Sequence, residues 1–184
     1  MPCTRPSNGG AVGFPSRFAR RRRVKANVRR WNRNIVCAQP RPAIAADLAS
    51  IETLVSEAYG KYVARIGRKP LPMLTNYRVA ISQHQFWVCE QDHILVGVIE
   101  LIPAEDHLLI ENVAVTPKSQ RQGIGRGLIA FAESEAKRQG FPEVRLYTNE
   151  QFTENLALYS RLGYGETRRE PFQGGTVVHM AKPV

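Results

Sequence analysis

The sequence predicts a mixed α/β fold of the α+β kind. Three observations predict it. Residues 45–65 carry apolar side chains at helical spacing, residues 86–115 have the pattern of three strands separated by short turns, and residues 112–130 run from a strand through a glycine-rich turn into a helix. At 184 residues, the chain is long enough for one hydrophobic core and needs no second folded domain.

The first half of the folded part should contain a helix followed by an antiparallel meander. The helix is expected over 45–65, with Asp47 near its start, where a carboxylate favours the first turn. Pro70 and Pro72 end any continuation and lead into a loop or short second helix. The three strands of the meander are expected at 86–90 and 94–102, joined as a hairpin around 91–93, and at 108–115 after a turn at 105–107.

The second half should alternate helices and strands before a closing hairpin. The patterns predict a helix over 122–139, a strand over 143–148, a helix over 153–162, and a final pair of strands over 164–170 and 175–182 around Gly174 and Gly175.

The positive charge of the chain is concentrated at its N-terminal end. Residues 1–42 contain 11 Arg or Lys and no Asp or Glu, which leaves 15 basic and 16 acidic residues in the remainder. We therefore expect a basic, disordered extension over 1–38 and a neutral folded domain over 39–184. The extension is compatible with an unstructured addition, a nucleic-acid arm or an organelle transit peptide.

Several classes of protein are disfavoured by what the sequence lacks. No apolar run approaches the roughly 20 residues that a membrane helix needs, so we expect no membrane partner. The three cysteines are widely spaced and odd in number, which indicates neither a disulfide framework nor a CxxC metal site and fits a reduced, cytoplasmic setting. The four histidines show no ligand spacing, so no metal is expected.

The glycine-rich turn, within NVAVTPKSQRQGIGRGLIA at 112–130, predicts a cradle for an anion. Gly123 and Gly125 lack a Cβ, so the backbone there can curl and aim successive amides at one point. The helix that follows adds its positive N-terminal end, and Arg121 and Arg126 add full charges. Such a site suits a phosphate or pyrophosphate.

Two common phosphate-binding motifs do not match this turn. A P-loop requires Gly-Lys-Ser/Thr after its second glycine, but Gly125 is followed by Arg126-Gly127. A dinucleotide fingerprint requires G-x-G-x-x-G, whereas the glycines are spaced G-x-G-x-G, and no strand-end acidic residue occurs near residue 145. What remains is Gln120-x-x-Gly123-x-Gly125 between a strand and a helix.

This pattern resembles the acetyl-coenzyme A (acetyl-CoA) loop of the GNAT acetyltransferases. Residues 154–164, ENLALYSRLGY, are similar to the family's later helix with its tyrosine, and residues 59–73 resemble the first helical region of small bacterial members. The resemblance covers about residues 40–184. It implies the GNAT acyl-CoA N-acyltransferase fold, with a mixed, mainly antiparallel central sheet flanked by helices, and it implies acetyl-CoA as co-substrate without a metal.

By the same resemblance, the strand and loop would hold acetyl-CoA. In the family the strand is splayed at a bulge, so the amides of Val113 and Val115 would contact the pantetheine and acetyl group, with Val113 as the oxyanion donor. Asn155 would bind the pantetheine arm, although the family's helix-starting asparagine corresponds to Phe152. The cofactor-binding residues expected in full are Val113, Ala114, Val115, Gln120, Arg121, Gln122, Gly123, Ile124, Gly125, Arg126 and Asn155.

Two residues are candidates for catalysis. Tyr159 matches the family tyrosine that protonates the departing sulfur, and a phenol can donate at neutral pH because its pKa is near 10. Its other interpretation is a helix tyrosine packed on the sheet. Glu111 could accept the proton of the amine; side-chain alternation would place it on one face with Val113 and Val115. The family's better-known strand glutamate corresponds to Leu109, and Glu111 is equally interpretable as a carboxylate paired with an arginine.

The resemblance leaves the acceptor open. Segments flanking the cleft should recognise it, namely Tyr59, Tyr62, Met73, Tyr77 and residues 172–175. Our leading hypothesis is direct attack by a primary amine of a small molecule or amino acid. The alternatives are a protein or aminoacyl-tRNA acceptor, or a non-catalytic module that binds acetyl-CoA or RNA. A homodimer stays open as a state of assembly, and nucleic acid would bind only through the basic extension.

Overall fold

The structure is a computed structural model and describes residues 39–184. Its strands and α-helices, in chain order, are β1 (Arg41–Pro42), α1 (Leu48–Ile66), α2 (Tyr77–Gln83), β2 (Gln85–Gln91), β3 (Ile94–Pro103), β4 (Leu108–Val115), α3 (Ile124–Gln139), β5 (Glu143–Asn149), α4 (Thr153–Arg161), β6 (Gly165–Phe172) and β7 (Gly175–Pro183). The boundary predicted near residue 38, and the interpretations of the extension before it, lie outside the described residues.

The strands form one sheet in the order β1-β2-β3-β4-β5-β7-β6. Every neighbouring pair is antiparallel except β4 and β5, which run parallel. The predicted meander of β2, β3 and β4 and the closing hairpin of β6 and β7 are both present. The mixed, mainly antiparallel sheet expected from the sequence is therefore confirmed.

Helices cover the sheet on two sides and bury a separate apolar cluster on each. On one side, α3 packs on the strands through residues such as Leu128, Ile129 and Ala132. On the other side, α1 and α2 pack through residues such as Ile51, Val55 and Ala80. We call these the α3 side and the α1 side. Burial of a Leu or Ile side chain stabilises the fold by about 1.5–3 kcal/mol, so the two clusters account for much of its stability.

A bulge in β4 divides the sheet into two halves. Glu100 of β3 pairs with Asn112, but the next residue of β3, Leu101, pairs with Ile110, which leaves Glu111 as an extra residue. On the other edge, β4 and β5 pair only from Leu108 to Ile110. Beyond the bulge, β4 continues with β3 alone and β5 continues with β7 alone, so a wedge-shaped gap opens between them.

The bulge also reverses which side of the sheet the β4 side chains face. Ile110 belongs to the apolar cluster of the α3 side, whereas Ala114, four residues later, belongs to that of the α1 side. In an uninterrupted strand these two residues would face the same side. Val113 and Val115 pack on the α3 side.

Element boundaries differ from the prediction at the N-terminal end. The short strand β1 was not predicted, and a 3₁₀ turn at Ala45–Asp47 precedes α1, which begins at Leu48. The reason is the role of Asp47, whose carboxylate accepts hydrogen bonds from the Arg41 guanidinium and the Ile44 amide, each at 2.8 Å. The bond from Arg41 in particular lowers the pKa of Asp47. Asp47 therefore fastens β1 to the start of α1.

The start of α3 also differs, and the cause is backbone conformation. The helix was predicted from residue 122, but Arg121 and Gly123 have φ values of 63° and 89°, which are outside the helical region. The helix begins at Ile124 instead. After the prolines, the predicted loop or short helix is realised as α2, where the Asn76 side chain accepts from the Val79 amide at 3.4 Å.

The side chains of Cys89 and His84 have contacts that the sequence did not indicate. Cys89 on β2 is fully buried within the apolar cluster of the α3 side. His84 contacts the buried carboxylate of Glu100. Within residues 39–184, no group of His, Cys, Asp and Glu is arranged to hold a metal, and no helix has the length and apolar character to cross a membrane.

Gly97 allows α3 to lie close against the sheet, a role that the sequence did not reveal. It pairs with Val115 at the end of β4. A Cβ on Gly97 would lie 3.0 Å from Leu128 Cδ1 and 3.1 Å from Ile124 Cγ2, closer than side chains normally pack. The first turn of α3 therefore keeps its position only while residue 97 lacks a side chain.

We expect Gly97→Ala to lower the free energy of unfolding by about 1–3 kcal/mol, the range for overpacking a core. The added methyl would push on Ile124 and Leu128. Urea unfolding followed by circular dichroism measures the change.

Gly60→Ala is the matched control. Gly60 lies in the middle of α1 on its exposed face, and a Cβ there would meet no atom within 4 Å. It should raise the free energy of unfolding by about 0.5–1 kcal/mol. Equal effects of the two substitutions would contradict the close approach at Gly97.

Candidate functional site

A cavity occupies the gap where β4 and β5 separate. Strand residues on both edges line it, and the remaining walls come from the end of α1, the segment before α2, the start of α4 and the β6–β7 hairpin. Its lining comprises Tyr59, Ile66, Arg68, Pro70, Leu71, Pro72, Ile110, Glu111, Asn112, Val113, Leu146, Tyr147, Thr148, Asn149, Phe152, Asn155, Tyr159, Phe172 and Val177. Six separate parts of the chain thus converge on the gap that the bulge opens.

The backbone of β4 presents amides to this gap. The Thr116 amide donates to the Val96 carbonyl of β3 at 3.0 Å, so Thr116 points its amide toward β3. Because backbone groups alternate along a strand, the amides of Val113 and Val115 point the other way, toward the gap. The Val115 carbonyl on that side accepts from Gln120 Nε2 at 3.0 Å. Gln120 therefore fastens the following loop to the end of the strand.

The loop after β4 turns at Arg121 and Gly123, whereas Gly125, the other glycine expected to form the turn, lies in the first turn of α3. A 3₁₀ turn at Pro117–Ser119 leads to Arg121 and then Gly123, both with positive φ. The Gly127 amide donates to the Gly123 carbonyl at 2.9 Å, which closes the first turn of α3. The amides of Ile124 to Arg126 precede that bond and, as in any helix, have no acceptor within the helix.

Two arginines flank these amides. Arg121 and Arg126 are exposed and, within the part of the chain that the structure describes, neither forms an ion pair. Gln122 Nε2 donates to the Lys118 carbonyl at 3.1 Å and holds the loop from its other end. The loop thus combines oriented amides with cationic side chains, a combination that suits an anion.

Tyr159 lies on α4 with its ring in the apolar cluster of the α3 side, and it also lines the cavity. Its ring meets that of Tyr164 edge-on, with 6.1 Å between ring centres. Burial raises the pKa of Tyr159 to about 12, so the hydroxyl stays protonated at neutral pH. Tyr159 therefore packs on the sheet and also lines the cavity, so neither interpretation given from the sequence excludes the other.

Glu111 is the extra residue of the bulge, and its surroundings differ from the prediction. Its Oε1 accepts a hydrogen bond from the Tyr147 hydroxyl at 2.5 Å, whereas Val113 and Val115 pack against the α3 side. The expectation that Glu111 shares one face with these two valines is therefore wrong, because the bulge interrupts the alternation. Within residues 39–184, the Glu111 carboxylate is bound by a tyrosine and forms no ion pair with an arginine.

A polar network connects the bulge to α1 and α2. The Tyr59 hydroxyl donates to Asn112 Oδ1 at 2.9 Å, Asn112 Nδ2 donates to the Tyr77 hydroxyl at 3.1 Å, and Tyr77 donates to the Pro72 carbonyl at 2.8 Å. Asn112 is buried, and its two side-chain hydrogen bonds satisfy the amide oxygen and the amide nitrogen. The network fixes the wall of the cavity at the point where the strands separate.

Helices α1 and α4 meet across the gap, although they belong to opposite sides of the sheet. The Tyr62 hydroxyl donates to Asn155 Oδ1 at 3.3 Å, and the Tyr62 ring stacks on Phe152 with 3.9 Å between centres. Arg65 donates to Glu154 Oε2 at 2.7 Å. We call these contacts the α1–α4 clasp. Asn155 therefore lines the cavity with its amide nitrogen still available.

The structure gathers some of the predicted residues and separates others. Glu111, Val113, Asn155 and Tyr159 line the cavity, whereas Ala114 buries its side chain among the residues of the α1 side. Of the predicted acceptor residues, Tyr59 and Phe172 line it, Tyr62 and Tyr77 are buried beside it, and Met73, Gly174 and Gly175 are not among its lining residues.

The lining residues that the sequence analysis did not find include Asn112, Tyr147 and Arg68. Asn112 could have been suspected, because a polar residue within an apolar strand usually has buried partners. Tyr147 could not, because its contact with Glu111 depends on the parallel register of β4 and β5. Arg68 follows a helix end, and only the folded chain places it on the cavity wall.

Comparison with known proteins identifies the family. A family model described as an acetyltransferase (GNAT) domain matches residues 82–166. N-acetyltransferase family 8 member 3 from Rattus norvegicus is 32% identical over 128 residues, covering 65% of this chain and 55% of that protein. N-acetyltransferase 8 from Homo sapiens is 31% identical over 93 residues, covering 47% and 41%. The chain spans about half the length of the curated relatives it matches.

Solved structures share the fold. The PaiA N-acetyltransferase from Thermoplasma acidophilum, in complex with coenzyme A, superimposes with a TM-score of 0.66 at 22% identity, covering 79% of this chain and 98% of that one. The ribosomal-protein-S18-alanine N-acetyltransferase from Escherichia coli gives 0.61 at 21% identity, with 78% and 92% covered. The family match, the curated relatives and the shared fold agree in placing the domain that contains residues 82–166 in the GNAT N-acetyltransferase superfamily.

Proposed function

We propose that this protein is an N-acetyltransferase that transfers the acetyl group of acetyl-CoA to a primary amine of a small molecule or amino acid by direct attack. The observation that carries the proposal is the cavity between β4 and β5, because a protonated tyrosine and a carboxylate both line it next to unpaired strand amides. No metal takes part in the proposed reaction.

The loop after β4 would bind the phosphates of acetyl-CoA. The amides of residues 124–126 and the side chains of Arg121 and Arg126 supply partial and full positive charge in one place. Gly125 fits this role, because a Cβ there would meet only Val115 Cγ2, at 3.7 Å, so the protein itself does not require a glycine. We therefore attribute the glycine at position 125 to a ligand that lies directly against the backbone there.

The gap would hold the rest of the molecule. Val113 and Val115 direct amides into it, and Val113 lines the cavity itself. An amide fixed in the strand can stabilise the negative charge that develops on a thioester oxygen, without reorganising as it does so. The Asn155 amide nitrogen, on the opposite wall, is placed to donate to a polar group of the pantetheine arm.

Tyr159 is suited to donating a proton to the departing thiolate. Burial keeps its pKa at about 12, well above neutral pH, so the proton is present when it is needed.

Glu111 is suited to accepting the proton of the amine, directly or through water. A lysine-like amine with a pKa near 10.4 is mostly ammonium at pH 7, and only its neutral form attacks. The hydrogen bond from Tyr147 fixes one carboxylate oxygen and leaves the other for the acceptor. Glu100, buried behind the same wall, is engaged with His84 and is not among the lining residues.

Acetyl-CoA titrated calorimetrically into the full chain is expected to bind, and the same samples should release thiol when amines are added. Gly125→Ala should weaken binding about tenfold or more, equal to about 1.4 kcal/mol, because the new methyl fills the space over the loop amides.

Gly60→Ala serves as the control here and should bind as the parent does, since its Cβ meets nothing. A parent chain that does not bind acetyl-CoA would overturn the proposed function. Unchanged affinity of Gly125→Ala would remove the loop from the binding site.

Tyr159→Phe should lower kcat by about 100-fold or more, the usual range for loss of a general acid, with little change in acetyl-CoA affinity. Stopped-flow thiol release across pH measures it. Tyr164→Phe is the matched control, because Tyr164 is a buried tyrosine that packs against Tyr159 but is not among the residues that line the cavity. If both variants turn over at the parent rate, Tyr159 is a packing residue only.

Glu111→Gln should lower the rate most at low pH, by about 100-fold, and progressively less as pH rises. The loss of rate is greatest at low pH because the acceptor amine is then almost entirely charged and needs a base. At high pH the amine is already neutral. Initial rates of thiol release over the pH range give the profile. Glu105→Gln, at an exposed turn, should match the parent throughout. A Glu111→Gln profile that matched the parent's would exclude Glu111 as the base.

A further inference from the structure

Arg68 is the one cationic side chain among the described residues that line the cavity. It follows Gly67, which ends α1 in the left-handed conformation with φ of 70°. The turn directs the chain back toward the gap, and Arg68 is half-buried there. Its position on the wall is therefore set by the way α1 ends.

Most N–H donors of the Arg68 guanidinium have no acceptor within residues 39–184. Within residues 39–184 it forms no ion pair, and its hydrogen bond to the Lys69 carbonyl is long, at 3.5 Å. Arg65, one turn earlier, is by contrast paired with Glu154 at 2.7 Å. A guanidinium carries five N–H donors in a fixed fork, which matches the two oxygens of a carboxylate.

Phe172 holds this cation in place. The guanidinium carbon lies 5.8 Å from the centre of the Phe172 ring, which also lines the cavity from the β6–β7 hairpin. A cation over an aromatic face is stabilised while its edge donors stay available. The contact orients Arg68 without using the groups that would bind a ligand.

The other residues of the cavity wall include apolar side chains near Arg68 and one carboxylate. Ile66, Pro70 and Leu71 surround Arg68 with apolar surface, and Glu111 is the anionic residue of the lining. The cavity thus offers an acidic group, a basic group and apolar surface to one ligand. An acceptor with an amine, an anionic group and an apolar body would satisfy all three, whereas a polyamine or a lysine side chain would leave Arg68 facing a like charge.

We propose that the acceptor is a free amino acid, or a close derivative of one, with an apolar side chain, and that Arg68 is a specificity-determining residue that binds its carboxylate. This inference rests on the proposed function, because it assigns the acceptor of the same cavity. The phosphates of acetyl-CoA are not the intended partner of Arg68, since the loop with Arg121 and Arg126 is not part of this wall.

The test compares two acceptors that differ in the carboxylate alone: phenylalanine and phenylalaninamide. The amide also reproduces the first residue of a protein chain, so it represents a protein N-terminus. We would measure kcat/KM for both acceptors with the parent and with Arg68→Met, at saturating acetyl-CoA. The preference of each protein is its kcat/KM for phenylalanine divided by that for phenylalaninamide. Comparing the preference of the parent with that of Arg68→Met cancels the difference in amine pKa between the two acceptors.

The parent should prefer phenylalanine, and Arg68→Met should reduce that preference by about tenfold to hundredfold, the range for loss of a charge-assisted hydrogen bond. Its rate with phenylalaninamide should change little. Lys69→Met is the matched control, since Lys69 is exposed in the same turn and is not a lining residue, and it should keep the parent preference.

Three results would count against the proposal. An equal loss for both acceptors in Arg68→Met would make Arg68 a structural residue. Turnover of phenylalaninamide without turnover of phenylalanine would exclude a carboxylate-bearing acceptor and leave the acetyltransferase activity standing. If the parent turned over none of these amines and bound no acetyl-CoA, the proposed function itself would be wrong, and the acceptor proposal with it.

Discussion

One extra residue in β4 sets the arrangement of everything around the site. Because Glu111 has no pairing partner in β3, the strand changes direction, its pairing with β5 ends after Ile110, and its side chains change sides. The gap, the exposed amides of Val113 and Val115 and the position of the Glu111 carboxylate all follow from that irregularity. A regular strand would have continued the ladder with β5 and closed the cavity with ordinary hydrogen bonds.

Phenol groups surround this gap, and their environment keeps them uncharged. Burial raises the pKa of Tyr59, Tyr77 and Tyr147 as well as that of Tyr159. Three of them already donate to fixed acceptors, namely Asn112, the Pro72 carbonyl and Glu111. Tyr159 differs because burial alone raises its pKa, with no charged neighbour contributing. The tyrosines thus divide into those that build the wall and one whose hydroxyl can serve a ligand.

The sequence predicted features that depend on local patterns and missed those that depend on register. The glycines, the strand before them and the helix after them are contiguous, so the loop and its neighbours could be predicted to within a few residues. The side of the sheet faced by Glu111 could not, because alternation along the chain does not reveal a bulge that is defined by pairing with Glu100 and Leu101. For the same reason Tyr147 and Arg68 were missed, and the close approach at Gly97 was visible only once α3 lay on β3.

The contacts of the α1–α4 clasp join residues that are far apart in the sequence, and this separation bears on when the cavity forms during folding. Tyr62 and Arg65 bind partners 93 and 89 positions later in the chain, so these contacts close very long loops. We expect contacts of that separation to form after the local helices and hairpins, because closing a long loop costs more chain entropy. The glycine loop and its helix could therefore take shape early from nearby residues, whereas the cavity exists only after α4 has joined the domain. A chain cut after β5 would keep the most recognisable motif and have no site for chemistry.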